Sequence, residues 1–456
     1  MRISTCALAL MASLGACIAA PVAGAQGSSM TVPRTSDDPR RVPLPPLDDS
    51  AAPVLVIRNG TLIDGTRAAP VRSATLVVRG DRIVEAGPAS RVRVPPAPDR
   101  EIDARGMYVV PGLIDLHMHL DQQRGDDYGR YRDSDAAAAI RATLLARQLI
   151  EAGITSIRSP GSRNDVLVRV KEAIERRFID GPRVFWSGQM IISRAGHGDE
   201  IVGTATGRAR SLENTGRYRV ATGPTDWRLA VREQIRQEAD WIKLTAPFTR
   251  EEAEAAIDEA HEHGFRVTAD SFGKYTQWAA EAGIDCIEHP LNLSREIIAV
   301  MARNKTDIVP TLVAFYNVQY QGYPPAGIPA GGFFYTMSRR FPVDHAQHLQ
   351  AVRWAHEAGM RIGVGTDVPF EVEKRYPKDY YIELGFLKDA GLSDAQVLAA
   401  ATRVNAEILG MEDKLGTLEA GKLADVLIVG ADPLADVQNL RHVRYVIADG
   451  RVVRAP

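Results

Sequence analysis

Hydrophobic and polar positions follow two different patterns along this chain, one near both ends and another through the middle. Residues 53–106 read as short strands punctuated by turns: an apolar run from Val54, Asn59-Gly60, a second run from Ala74, then Arg79-Gly80-Asp81 and a third run at Ile83-Val84. Residues 415–456 share that texture, with Asp449-Gly450 as a hairpin signal. Residues 53–106 and 415–456 are therefore expected to build one composite β-sandwich domain.

The middle, 107–414, alternates strand and helix. Strands are expected at 109–119, 154–158, 184–190, 241–246, 266–270, 286–289, 307–312 and 361–367. Helical periodicity falls between them, for example at 135–152, 225–239 and 250–263, the first with a Ser134/Asp135 cap and a Gly153 stop. Eight strands with intervening helices predict an α/β fold of the (β/α)8, TIM-like type. A doubly wound open sheet lacks support, because no glycine-rich dinucleotide turn follows the first strand.

The N-terminus has a different character. Arg2 precedes an apolar run from Cys6 to Ala20, and Ala23-Gly24-Ala25 offers a small-residue cleavage site. Residues 1–25 read as a bacterial-type export signal with Gln26 as the mature start, which implies a periplasmic or secreted protein. The run is too short for a comfortable membrane span. Leu14-Gly15-Ala16-Cys17 loosely resembles a lipobox and leaves lipid anchoring through Cys17 open. Residues 26–52, rich in Pro, Ser, Asp and Arg, read as a tether. If cleavage follows Ala25, Cys286 is the remaining cysteine of three, and no intramolecular disulfide is possible. It lies in an apolar strand and reads as a small core residue.

The 456 residues are 45% hydrophobic, ample for a large core, and a formal charge of −2 gives no basic face for nucleic acid. Barrel enzymes carry reactive groups at strand C-termini. Here those ends present His117 and His119, then Gly196-His197-Gly198, Lys243, Asp270, His289 and Asp367. Residues two apart on a strand share a face, so His117 and His119 can offer two imidazoles to one metal ion. The whole cluster suits zinc or a similar divalent ion.

This pattern resembles the amidohydrolase superfamily, in its imidazolonepropionase and prolidase-like (Xaa-Pro dipeptidase-like) branch. The closing Gly416-Thr-Leu-Glu-Ala-Gly-Lys-Leu-Ala-Asp425 belongs to the same likeness. The resemblance implies that His117 and His119 bind the more buried metal, that Lys243 is carboxylated and bridges two metals, and that His289 ligates the second. It implies that Asp367 binds metal and shuttles the proton, and that His197 contacts the substrate carbonyl. Chemistry is consistent with these roles. Desolvation favours a neutral lysine, which reacts with carbon dioxide to give two hard oxygen ligands. Metal coordination brings the pKa of water from about 15.7 to about 7.

Asp270 departs from the family, which normally has a metal-binding histidine there. As a ligand, Asp270 keeps two metals and favours a harder ion such as manganese. Otherwise the second site weakens and one metal dominates. His261 and His263 lie at the wrong end of that strand to replace it.

Residues 315–341 hold eight aromatics in a chain that is 6% aromatic. They read as a lid over an apolar pocket, with Phe315, Tyr316 and Tyr320 lining it and Phe370 joining from beyond strand eight. An oligomer contact is the other reading, and a homo-oligomer stays open. The expected activity is hydrolysis of an amide or peptide bond in a small substrate: an Xaa-Pro or other dipeptide, or an N-acyl amino acid. Cyclic amide, lactone or ester hydrolysis is the alternative, and a non-catalytic metal- or ligand-binding relative is a third.

Overall fold

The computed structural model describes residues 44, 51–121, 134–163, 165–194, 196, 201–203, 209–211, 216–320, 344–368 and 375–456. The expected export signal, and all but a few residues of the tether, lie outside them.

β1 (Val54–Leu62), β2 (Val71–Arg79) and β3 (Arg82–Pro88) form an antiparallel meander. β4 (Arg100–Asp103) and β5 (Tyr108–Pro111) run parallel to β1. Val54 to Ile57 are all buried. Leu55 and Ile57 face one apolar cluster and Val54 and Val56 another, which accounts for the unbroken apolar run.

The chain leaves this sheet at Gly112. A Cβ there would lie 2.2 Å from Thr155 Oγ1, a distance only glycine avoids. The single strand expected at 109–119 is therefore two, β5 and β6 (Leu113–Asp115), in different sheets.

β6, β7 (Ile154–Ser159) and β8 (Arg183–Trp186) pair in parallel. The strand expected at 184–190 likewise divides, into β8 and β9 (Met190–Ser193). β10 (Ile201–Gly203) and β11 (Ala209–Ser211) make a short antiparallel ribbon. β12 (Tyr218–Ala221), β13 (Ile242–Thr245), β14 (Val267–Phe272), β15 (Cys286–Leu291) and β16 (Asp307–Val309) join β9 in a six-stranded parallel sheet of order β12-β9-β13-β14-β15-β16.

Hydrogen bonds link the two parallel sheets. The Trp186 carbonyl accepts from the backbone N–H of Asp240 and Trp241. Beyond β16, Ile308 bridges Ile362 in parallel, and Leu116 N–H donates to Val364 C=O at 2.9 Å. The strand expected at 361–367 is thus an extended segment with a single bridge. The Asn405 amide replaces the ladder there. Its oxygen accepts from Val364 N at 2.9 Å, and its nitrogen donates to Val364 O at 2.9 Å and Ile114 O at 2.8 Å. Gly365 permits the approach, since a Cβ would meet Val309 Cγ1 at 2.4 Å and His117 N at 2.9 Å.

The helices match the periodicity closely. Asp135–Glu151 starts at a Ser134 cap, and Arg250–Glu262 starts at a capping box in which Thr249 and Glu252 satisfy each other's backbone N–H. Gly223–Arg236 begins two residues before expectation and ends three residues short of it. These helices bury their apolar stripes on the parallel strands in one large core.

β17 (Val426–Val429), β18 (Val443–Ala448) and β19 (Arg451–Arg454) complete the first sheet, in order β19-β18-β17-β5-β1-β2-β3 with β4 beside β1. β17 runs antiparallel to β5, pairing Leu427 with Val110. Gly112 N–H donates to Asp425 C=O at 2.9 Å. The strands on either side of the middle region, β1 and β17, therefore meet at the segment that leads to His117.

Candidate metal and active site

Five sequence elements carry the expected ligands to one place. His117 and His119 follow β6, Lys243 lies in β13, Asp270 in β14, His289 in β15, and Asp367 ends the extended segment. His117 Nε2 is 3.6 Å, and His119 Nε2 3.4 Å, from Asp367 Oδ1. His289 Nε2 is 3.6 Å from Asp367 Oδ2 and 2.9 Å from Asp270 Oδ1. Lys243 Nζ is 2.6 Å from Asp270 Oδ1. Asp367 N–H donates to His117 C=O at 2.7 Å, which ties their two segments together.

Backbone conformation aims two of these groups. Strand alternation would send Glu288 and His289 to opposite faces. A φ of +53° at His289 turns its ring back toward the cluster, and Asp367 has φ +42°.

The far nitrogen of each imidazole is engaged by an oxygen. His117 Nδ1 lies 2.8 Å from Glu288 Oε2, and His119 Nδ1 lies 2.9 Å from Gly161 O. A carbonyl, and a carboxylate when ionised, only accept, so both rings carry the proton on Nδ1. His289 Nδ1 meets Thr311 Oγ1, whose own hydrogen goes to Pro310 O at 2.7 Å, so this ring also donates from Nδ1. Each histidine therefore keeps Nε2 on the side of Asp367, the atom that a metal-ligating imidazole presents to its ion.

Burial dominates the electrostatics. Desolvation pushes the His117 imidazole down to about 4, with Lys243 adding to the fall and Asp367 and Glu288 opposing it. Burial would raise the Asp367 carboxyl, but the imidazoles of His117, His119 and His289 bring it down to about 2. Asp270 is held well below the ordinary carboxylate range, because Lys243 and His289 outweigh its burial. A neutral His117 imidazole and ionised Asp270 and Asp367 carboxylates are protonation states that suit a cation.

Residues 108–453 match the amidohydrolase family. The chain belongs to that family. This amidohydrolase is 27% identical to an ochratoxinase from Aspergillus niger over 452 residues, covering 91% of this chain and 90% of the relative. It is 27% identical to an imidazolonepropionase from Symbiobacterium thermophilum over 392 residues, covering 79% and 85%. The crystal structure of a Xaa-Pro dipeptidase with bound methionine in the active site superposes with a TM-score of 0.77 at 28% identity, covering 88% of this chain and 99% of that one. The protein is a hydrolase. The divalent metal typical of the superfamily fits the residues present: His117, His289 and Asp367 offer ligand atoms within 4.8 Å of one another, and His119 adjoins them.

Other expected residues of the amidohydrolase site are placed as follows. His197 and Phe370 lie outside the described residues, as do Tyr323 and the aromatics at 333–341. Residues 312–320 form a helix, Leu312–Tyr320, in which neighbours face different ways. Phe315 packs on His289 with ring centroids 5.0 Å apart. Tyr316 packs instead on Tyr320, His345 and Phe386. His261 pairs with Asp285 at the opposite end of the strands.

Several supporting residues escaped sequence reasoning. Asp115 accepts from His117 N at 3.0 Å, Thr366 N at 3.1 Å, Thr366 Oγ1 at 2.8 Å and Tyr376 Oη at 3.0 Å. It joins the backbones beside His117 and Asp367. A lone aspartate in an apolar strand, two residues before His117, was its only signal. Glu288, Arg158 and Thr311 likewise showed no motif.

Proposed function

We propose that this amidohydrolase is an exported, metal-dependent enzyme that cleaves an amide or peptide bond in a small substrate. The substrate class is an Xaa-Pro or other dipeptide, or an N-acyl amino acid. The convergence of three imidazole Nε2 atoms on Asp367, with the Asp270 carboxylate against one of those imidazoles, carries this reading. The names of the dipeptidase and ochratoxinase relatives support it, and the imidazolonepropionase keeps cyclic amides as the second substrate class to test.

His117, His119, His289 and Asp367 would hold the metal, with Asp270 and a carboxylated Lys243 completing a two-metal set of zinc or manganese. Such ions polarise a carbonyl and acidify water. Asp367 is ionised at neutral pH, and its carboxylate oxygens take a proton from the attacking water and return it to the departing nitrogen. Asp115 and the Asp367 N–H bond to His117 keep that carboxylate at a fixed height over the histidines. His197 is assigned to the substrate carbonyl, and Phe315 to an apolar wall beside His289. β6, β7, β8, β13, β14, β15, β16 and the segment 361–367 are read as the eight strands of a closed (β/α)8 barrel within 107–414, supported by the bonds from Trp186 and Val364 that link its sheets. Residues 53–106 and 415–456 are read as a β-sandwich around the cluster of Leu55, Leu76, Val426 and Ile447.

The test is elemental analysis of protein expressed with ¹³C-bicarbonate, followed by a dipeptide and N-acyl amino acid panel with and without chelator. About two metal equivalents, a carbamate carbon resonance and chelator-sensitive hydrolysis are expected. One equivalent without that resonance overturns the bridged centre. Absence of hydrolysis across linear and cyclic amides overturns the activity.

A further inference from the structure

We propose that Arg158 and Glu288 form a positioning pair for His117, a buried ion pair that holds this ligand's ring and its backbone together. The inference rests on the metal-centre reading above. Glu288 Oε2 accepts a hydrogen bond from His117 Nδ1–H at 2.8 Å. Its Oε1 accepts from Arg158 Nη2 and from Thr268 Oγ1, with Cys286 Sγ 3.6 Å away. Arg158 Nε donates to the Leu116 carbonyl at 2.8 Å, one residue before His117. One guanidinium thus fixes the peptide that precedes the ligand and, through Glu288, the ring of the ligand itself.

Both side chains are fully buried, and the guanidinium lies over the Trp241 ring at 4.7 Å. Buried ion pairs are weak stabilisers, since two apolar residues of similar volume generally serve a fold as well or better. The charge is therefore unexplained by folding. It is explained by what the carboxylate does to the imidazole: it confines the proton to Nδ1 and adds negative charge behind the ring, which strengthens Nε2 as a donor. Cys286 fits the same scheme. Burial and Glu288 push its thiol pKa up, so it stays protonated as one more donor facing the carboxylate.

The experiment compares wild type, Glu288→Gln and the double variant Arg158→Met/Glu288→Leu, each stripped of metal and titrated with zinc against a competing chelator. Melting temperatures and imidazole ¹⁵N spectra are recorded on the metal-free proteins. The double variant should melt at or above the wild-type temperature yet bind zinc about 10–100-fold more weakly. Its His117 should lose the single Nδ1–H tautomer seen in wild type. Glu288→Gln strands the guanidinium and should lose stability as well as affinity; should it fail to fold, the double variant carries the test. Wild-type zinc affinity in the double variant overturns the proposal, whether or not its melting temperature falls. Should wild type itself bind no zinc, the metal-centre reading fails, and the His117 tautomer in the metal-free double variant decides the positioning role by itself.

Discussion

The hydroxyl of Thr311 accepts a hydrogen bond from His289 Nδ1–H while donating its own to the Pro310 carbonyl. Thr311 does this at φ +51°, a region that β-branched residues avoid. Such strain persists where surrounding structure enforces it, and here it points the hydroxyl at a ligand ring.

Thr311→Val keeps the branched shape and the backbone strain but removes the acceptor. Zinc affinity should fall about tenfold or more, and Thr311→Ser should restore it. Chelator competition measures both. Equal affinities for Val and Ser would show that the hydroxyl is idle.

Asp367→Asn preserves volume while removing a ligand charge and the proton acceptor. Hydrolysis should drop by about 10²–10⁴, with metal content measured alongside to separate the two losses. The wild-type carboxyl, brought down to about 2, stays ionised through the neutral range. Activity that needs the carboxylate is lost only as pH falls through that value. An acid limb near neutrality that vanishes in Asp367→Asn would contradict this assignment.

Lys243→Ala should abolish activity, because it removes the amine that forms the carbamate. Asp270→Asn should lower the metal content from about two equivalents toward about one. Full activity in the first variant, or unchanged stoichiometry in the second, refutes the bridged centre.

Glu383 supplies a test in stability. It is buried, and its carboxyl accepts from Leu312 N at 3.0 Å and Val313 N at 2.7 Å, at the start of the helix that follows Thr311. Burial raises its pKa from 4.5 to about 8, against those two donors and with help from Asp115 and Asp379. A raised folded-state value favours the protonated acid. Stability from this group is complete below 4.5, declines as pH rises, and is lost through about 8. The swing is on the order of a few kcal/mol. Wild-type melting temperature should therefore fall more steeply than that of Glu383→Gln between mildly acidic and mildly alkaline buffer. Parallel slopes would count against it.

How far the sequence could be read depended on whether a feature was local. Ser134 and Thr249 mark helix starts through bonds made within one turn, and both were visible. The cluster of His117, His119, His289 and Asp367 was visible because each member sits at the end of an apolar run. The division at Gly112 was hidden, because Pro111 and Leu113 are both buried and the apolar run does not break. The irregular segment before Asp367 was hidden for another reason: Asn405, its hydrogen-bond partner, lies about forty residues away in sequence. Glu288 and Arg158 are ordinary charged residues in a linear reading. Only folding brings a glutamate from one strand and an arginine from another behind the ring of His117.

The pairing of β17 with β5 fixes an order of events in the cell. Tyr108–Pro111, already beside β1, gains its second neighbour only when Val426–Val429 has been synthesised, and the Gly112 N–H waits for the Asp425 carbonyl. These bonds secure the backbone five residues before His117. A nascent chain that has passed Asp367 holds every ligand residue but not the clamp on the first two. Chain completion is thus expected to precede metal loading, and a truncation ending at Ala424 should retain less zinc than the full chain.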